Sequence, residues 1–426
     1  MRNLLNELTA EKNDLYHFEK ANRNKSLKDK SSCFNAMLNR LEVNREFTYR
    51  RMIVSATGRT VSVFDNALKK EREMLMFASN NYLGFANHPY IKEKIDAVIQ
   101  KFGIGIGGPP LLNGYTLLMN ELEDRLSSLK KKEDTLIFPS GYMANLGLAS
   151  AISNTQNNFV LDKYSHASLY DGIKLNNANF KTFRHNDIGS LEKVLVELDQ
   201  KKYKETFVCV EGVYSMDGDL AKLPKIAEVC KKLGVLLILD DAHGTGVLGD
   251  KGGGTAEHFQ LEKDVDISMG TFSKAFALTG GFLSADKDII EYFRYYSRPY
   301  VFSAALPPVT IVSVLAGLDL LEHEPWRRKK VLENTKYAVS KLRGFELTAE
   351  PEAAIISVKV PTWINIRNAN MQLDKMGIFI NSIEFPAVSQ NDQRFRISIS
   401  AEHNQQDIDK LVDCLEEVWH DSAKNS

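Results

Sequence analysis

Cysteine is scarce in this chain: four residues in 426, Cys33, Cys209, Cys230 and Cys414, far apart and without a CxxC pair. That spacing argues against a zinc knuckle and for a reducing compartment. An excess of charge is missing too, since 54 Lys and Arg stand against 55 Asp and Glu, a formal net charge of -1. No global field therefore draws the chain to nucleic acid or to an anionic membrane. The basic runs Lys130-Lys131-Lys132 and Arg327-Arg328-Lys329-Lys330 read as solvated helix faces. No apolar run reaches membrane length, and no charged-then-apolar leader follows Met1. There is no glycine loop ending in GK[ST], no internal repeat and no low-complexity stretch. The expectation is a soluble cytoplasmic protein with no nucleic-acid partner and no integral membrane segment.

What is present is enough apolar residue, 43% of the chain, for one large core and a smaller second one. Residues 1–60 are charged and helix-prone, with Leu4, Leu5, Leu8, Leu15 and Phe18 as a loose stripe, and read as a helical extension on the surface or on a partner subunit. From 135 onward, short apolar strands (135–138, 158–161, 206–210, 235–239, 265–269) alternate with helical segments (143–152, 166–176, 188–198, 223–233). Such alternation predicts a mainly parallel sheet with helices on both faces, and ligands gathered at the strand C-terminal ends. The division expected is a large domain over 61–308, then a connecting helix and a small C-terminal α/β domain over 309–426. The glycine-rich stretch 103–116 reads as a loop whose backbone lies close to a ligand or a subunit contact.

One lysine stands out. Lys274 lies in Thr271-Phe272-Ser273-Lys274-Ala275-Phe276, between an apolar strand and a turn of small residues. A charged amine there is unfavourable unless it is paired or chemically used, and one use that removes the charge is an imine to a carbonyl cofactor. Other candidates sit at strand ends. Pro139-Ser140-Gly141-Tyr142 opens a helix whose free amides suit a phosphate, or is simply a turn. His166 could stack on a planar cofactor or cap a helix, and Ser215 is the small residue of a polar segment over 211–219. Asp240 and Asp241 follow another strand, but with only His243 near and no third spaced ligand a metal is poorly supported. A buried carboxylate there could instead pair with a protonated ring nitrogen while His243 reaches another edge of the ring, the charge logic of an electron-sink cofactor. Asn80 and Asn81 mark a further strand-to-loop transition.

In order along the chain, Asn80-Asn81-Tyr82-Leu83-Gly84, Ser140-Gly141-Tyr142, Ser165-His166-Ala167-Ser168, Glu211-Gly212-Val213-Tyr214-Ser215-Met216-Asp217-Gly218-Asp219, Asp240-Asp241-Ala242-His243-Gly244-Thr245-Gly246, Thr271-Phe272-Ser273-Lys274 and Arg396 with Ala401-Glu402-His403 resemble the α-oxoamine synthase family. That family lies within the fold-type I pyridoxal-phosphate enzymes. The resemblance implies an α/β fold with a large domain around a mainly parallel sheet, a smaller C-terminal α/β domain, a homodimer, and pyridoxal 5'-phosphate as cofactor. It also implies condensation of an amino acid with an acyl-CoA thioester, with decarboxylation, to an α-amino ketone. Lys274 would hold the cofactor, Asp240 would pair with its ring nitrogen, His166 would stack on the ring and His243 would reach its phenolic oxygen. Gly141, Tyr142, Ser215 and Thr271 would place it, with Ser303 reaching a phosphate across the dimer interface. Arg396, rather than Arg394, would take the amino-acid carboxylate, and Asn80 or Asn81 would lie on the substrate side. Three positions depart from the family pattern: Pro109-Pro110 replaces a common serine and arginine, and Met119 a common histidine. Substrate identity thus stays open between 8-amino-7-oxononanoate synthase-like and serine palmitoyltransferase-like enzymes, with an aminotransferase or lyase of the same fold as the more distant reading.

Overall fold

A computed structural model describes residues 15–43, 48–66, 68–198 and 204–424. Leu4, Leu5 and Leu8 lie outside the described residues. Two helices, Leu15–Asn22 and Leu27–Val43, open the described chain. The first of them meets the C-terminal part of the molecule, where Tyr16 packs edge-on against Phe385 with ring centroids 5.2 Å apart.

Strands β1 (Met52–Ile53), β2 (Thr60–Asp65) and β3 (Lys70–Met76) follow as an antiparallel meander. The central sheet is built from β4 (Asp134–Phe138), β5 (Asn157–Asp162), β6 (Asn179–Phe183), β7 (Glu205–Glu211), β8 (Leu236–Asp240), β9 (Ile267–Thr271) and β10 (Gly281–Ala285). Its order is β4-β10-β9-β8-β7-β5-β6. From β9 to β6 the strands are parallel; β10 runs antiparallel to both β4 and β9. Helices cover both faces of this sheet, so β5 and β9 are buried along their whole length, and their continuous apolar character follows from that. Two strands carry no such signal. In β6 only Phe183 is buried, because the strand forms an edge, and β10 is the short segment Gly-Phe-Leu-Ser-Ala, with only Phe282 and Leu283 large and apolar. The register sets Phe282 of β10 opposite Gly270 of β9, and a Cβ at Gly270 would overlap the Phe282 ring.

The connecting helix Pro308–His323 is apolar almost all round because it is buried, packed on the helices Pro89–Phe102 and Leu117–Lys130. The C-terminal part holds β11 (Ile355–Lys359), β12 (Ile378–Phe379), β13 (Asn381–Ile383) and β14 (Arg394–Ser398), with the helices Ile366–Lys375 and Gln405–Lys424. Strands β11, β14 and β13 form a three-stranded antiparallel sheet, whereas β12 pairs in parallel with β3. One four-stranded sheet therefore joins residues from the expected 61–308 and 309–426 divisions. Leu75 and Phe77 belong to the same apolar core as Ile356, Ile397 and Leu411.

The basic runs are solvated only in part, because one member of each is buried. Lys130 is 4% exposed and its ammonium donates to Asp241 Oδ2 (2.9 Å), Thr245 Oγ1 (2.7 Å) and the Gly253 carbonyl (2.8 Å). Arg328 is buried as well and donates to the carbonyls of Leu321 and Asp250. Charge density along the sequence does not show which members of a run fold inward. Only the exposed members, such as Lys131, fit the simple reading.

Candidate active site

The sheet register lines up Glu211 with Asp240, so two buried carboxyl groups sit side by side at the C-terminal ends of β7 and β8. Asp240 is held from two sides: Asn145 Nδ2 donates to Oδ2 (2.8 Å) and the Ala242 amide donates to Oδ1 (3.2 Å). Burial raises its pKa above the ordinary carboxylate value, and these hydrogen bonds oppose the rise. The second hydrogen of Asn145 Nδ2 goes to Ser168 Oγ (2.9 Å), which in turn lies 2.7 Å from His166 Nδ1. His166 caps the helix Ala167–Leu175, accepting the Ser168 amide at 3.2 Å. One asparagine thus fixes both Asp240 and the orientation of His166. Glu211 accepts the Ser215 amide at Oε2 (3.1 Å), while its buried Oε1 has no hydrogen-bond partner. Burial and the neighbouring Asp240 charge push the Glu211 carboxyl well above its usual range.

Lys274 follows β9 in a tight turn pinned by Thr271 Oγ1, which donates to the Gly280 carbonyl (2.8 Å), and by the Leu278 amide on the Phe272 carbonyl (2.8 Å). Phe272, Ala275 and Phe276 anchor the turn in the core, which leaves Lys274 between them as its half-buried polar member. Burial and the Arg396 charge lower the Lys274 ammonium to about 8, against the opposing pull of Asp240 and Glu211. Beside it, the helix Gly141–Ile152 begins with Ser140 Oγ accepting the Met143 amide (3.1 Å). The amides of Gly141 and Tyr142 have no acceptor inside the helix. A Cβ at Gly141 would lie 2.9 Å from Thr271 Oγ1, so only glycine lets this helix end close on the end of β9. The Tyr142 hydroxyl donates to Asp171, and its ring is half-exposed.

A second network closes the other side. Arg396, on β14, donates from Nε to the Ser215 carbonyl (2.6 Å) and from Nη1 to Asn80 Oδ1 (3.0 Å). The Tyr82 hydroxyl donates to Asn80 Oδ1 (3.1 Å) and lies 2.8 Å from His243 Nδ1. Burial first, then the charges of Lys274 and Arg396, push His243 well below its ordinary pKa, so its imidazole is neutral. The donor set fits pyridoxal phosphate. A glycine-cleared helix end with free amides beside two hydroxyls, Thr271 and Ser273, suits the phosphate; the buried Asp240 suits a protonated ring nitrogen; and a lysine of lowered pKa suits a carbonyl carbon.

A model of the family described as aminotransferase class I and II matches residues 72–415. The chain belongs to this family. An 8-amino-7-oxononanoate synthase of Thermoanaerobacter pseudethanolicus is 34% identical over 380 residues, 88% of this chain and 94% of that protein. A serine palmitoyltransferase of Bacteriovorax stolpii is 33% identical over 382 residues, 89% of each. Among solved structures, Sphingomonas wittichii serine palmitoyltransferase superposes with a TM-score of 0.86 at 30% identity, covering 93% of this chain and 99% of that one. The protein is thus a pyridoxal-phosphate enzyme of the α-oxoamine synthase group, with the fold-type I architecture that its motifs imply.

In this α-oxoamine synthase, the remaining sequence candidates separate by their partners. Asn80 joins the network at Arg396, whereas Asn81 Oδ1 accepts the Ala86 amide (3.2 Å) and shapes its own loop. Arg394 is paired with Asp217, which leaves Arg396 as the guanidinium beside Lys274 and Asn80. Asp241 turns away from Asp240 to Lys130 and Thr255. Ser303 lies near the first turn of the Gly141 helix of its own chain, 3.9 Å from Met143 Sδ. Pro109 and Pro110 start a wide turn, Pro110–Gly114, in which the Pro109 carbonyl accepts the amides of Leu112, Asn113 and Gly114. Within the chain this loop packs closely at Gly114, against Ala305, and the Ala305 amide donates to the Gly108 carbonyl (2.9 Å). Met119 is buried in the core. Asn145 is the functional residue that motif reading missed; its only signal is that it is the sole asparagine in the otherwise small and apolar helix Gly141–Ile152.

Proposed function

We propose that this enzyme condenses an amino acid with an acyl-CoA thioester, releasing coenzyme A and carbon dioxide and yielding an α-amino ketone. The observation that carries the reading is the placement of Arg396: its guanidinium is oriented by the Ser215 carbonyl and Asn80 Oδ1, and its charge is felt at Lys274. A substrate carboxylate seated on that guanidinium brings its α-carbon toward the lysine.

Bound pyridoxal phosphate supplies the electron sink that stabilises a carbanion at the α-carbon. Lys274, whose ammonium is lowered to about 8, would hold the cofactor through its neutral amine and, when free, would be the base that takes the α-proton and later returns one. Asp240, oriented by Asn145, would keep the cofactor's ring nitrogen protonated, and His166 would hold the ring in place. His243, neutral and bound to Tyr82, is available to the ring's oxygen edge. Gly141, Tyr142, Ser215 and Thr271 would place the cofactor, and Asn80 would lie on the substrate side.

We further infer a homodimer. Leu112 (82% exposed) on the wide turn, Leu117 (71%) at the start of the helix Leu117–Lys130 and Phe302 (73%) at the end of the short helix Arg298–Phe302, next to Ser303, expose apolar surface. A second copy seated there would cover this surface and bring Ser303 to the partner's phosphate site. All four cysteines are free, which agrees with the cytoplasmic setting where coenzyme A thioesters are available. The test is a matrix of amino acids, L-alanine and L-serine among them, against acyl-CoA thioesters of graded length, read by thiol release and product mass. Short-chain dicarboxylic donors with alanine, or long-chain donors with serine, separate the two kinds of relative. No thiol release with any pair would sink the reading, as would turnover retained in folded Lys274→Ala.

A further inference from the structure

We propose that His185 is a positioning residue of this reaction: as an imidazolium donating from both nitrogens, it clamps the loop that carries His166 to the loop that carries Ser215. His185 follows β6 and lies between two carboxylates, with Nδ1 3.0 Å from Asp162 Oδ1 and Nε2 3.0 Å from Asp219 Oδ2. Both partners are acceptors, so both ring nitrogens carry hydrogen and the ring is a cation. Asp162 is the buried last residue of β5 and opens the segment that leads within four residues to His166. Asp219 closes the polar segment after β7. The ring is also gripped by aromatics from the same two loops: Tyr164 stacks on it at 4.4 Å and 22°, and Tyr214 meets it edge-on at 4.4 Å and 86°. Asn186 doubles the tie, its amide donating to Asp162 Oδ2 (2.9 Å) and its Nδ2 to Asp219 Oδ2 (2.8 Å).

The clamp reaches the site through short paths. Tyr214 precedes Ser215, whose carbonyl receives Arg396 Nε, and Tyr164 stands two residues before His166. Loosening the clamp thus shifts the carboxylate seat relative to the ring-facing histidine. Burial disfavours charge on His185, but the hydrogen bonds and charges of Asp162 and Asp219 outweigh it and carry the pKa up to about 9. The other ionisable groups that face it are Tyr164 and Tyr214, with Asp187, Lys222, Lys225 and Glu352 lining the adjoining groove. The clamp is intact at neutral pH and releases as pH rises through about 9.

The kinetic consequence rests on the proposed function; the clamp itself does not. Three cofactor-loaded proteins decide it: native, His185→Gln and Asp219→Asn. Binding of L-alanine and of L-serine, read from the cofactor absorbance across pH, is expected to weaken about ten- to a hundredfold in His185→Gln, the range for a lost charge-assisted hydrogen bond. Cofactor affinity changes far less. The alkaline loss of amino-acid affinity near pH 9 disappears in His185→Gln and moves to lower pH in Asp219→Asn, which keeps an acceptor but removes a charge. NMR titration of histidine-labelled protein gives the same shift for the His185 ring directly. Amino-acid affinity and pH profile unchanged in both variants would overturn the proposal, as would a ring titrating near 6.5. If His185→Gln does not fold, Asp219→Asn decides by the same two readings. A native protein that binds no amino acid of the matrix overturns the functional reading instead, and the NMR midpoint then upholds or sinks the clamp.

Discussion

Asn145 spends both hydrogens of one amide nitrogen on Asp240 and Ser168, so its removal leaves a buried carboxylate short of a donor and frees His166 to turn. For Asn145→Ala, kcat/KM is expected to fall about ten- to a hundredfold, the range for a hydrogen bond to a charged group, with weakened cofactor retention followed by absorbance. Lys274 gives a second prediction. Its pKa is lowered to about 8, so the neutral amine that reacts with a carbonyl grows with pH and saturates above that value. Uptake of pyridoxal phosphate by the cofactor-free protein should accelerate about tenfold per pH unit below 8 and level off above it. A flat profile from pH 6 to 9 would count against the lowered value. At this scale the sequence was legible wherever a residue sits in a distinctive string at a strand end, as Lys274, Asp240 and His243 do. Asn145 and His185 lie outside such strings, and their roles arise only when helices and loops distant in sequence are brought together.

Elements were legible to the extent that their faces are uniform. Strands β5, β7, β8 and β9 announce themselves because helices bury both sides of them; β6 does not, because it is an edge, and β10 does not, because only two of its five residues, Phe282 and Leu283, are large and apolar. The same burial misleads in the other direction at Lys130, where a run of three lysines hides one that pins the helix Leu117–Lys130 to the loop after β8 through Asp241. Removing that ammonium strands a fully buried carboxylate. Lys130→Met should therefore lose about 3–5 kcal/mol in denaturant unfolding, and the double variant Lys130→Met with Asp241→Asn should recover part of that loss. An unchanged midpoint in the single variant would show that the pair carries no net weight.

At the scale of the whole molecule, periodicity gave the central sheet and the C-terminal α/β character, but not that β3 reaches across some 300 residues to β12. A two-residue strand has no pattern to read, and pairing between distant segments leaves no local trace. The exposed apolar surface around Leu112, Leu117 and Phe302 belongs to this scale as well. Phe302→Asp combined with Leu112→Asp should yield a monomer by sedimentation and, because Ser303 would no longer serve a partner, weaker cofactor binding; a dimer that persists would place the interface elsewhere.

The sheet shared by β2, β3 and β12 has a consequence in time. A ribosome delivers the β2–β3 hairpin early and must then make about 300 further residues before β12 can pair with it. Phe77 and Tyr82, whose carbonyls receive the amides of Ser398 and Ala401, wait equally long for their partners. Because Arg396 arrives only with β14, the network at Asn80 and Tyr82 stays incomplete on any chain that has not reached that strand. Truncation just before β12 would leave a complete central sheet around a lysine that can meet the cofactor, beside an unpaired strand edge open to any other chain.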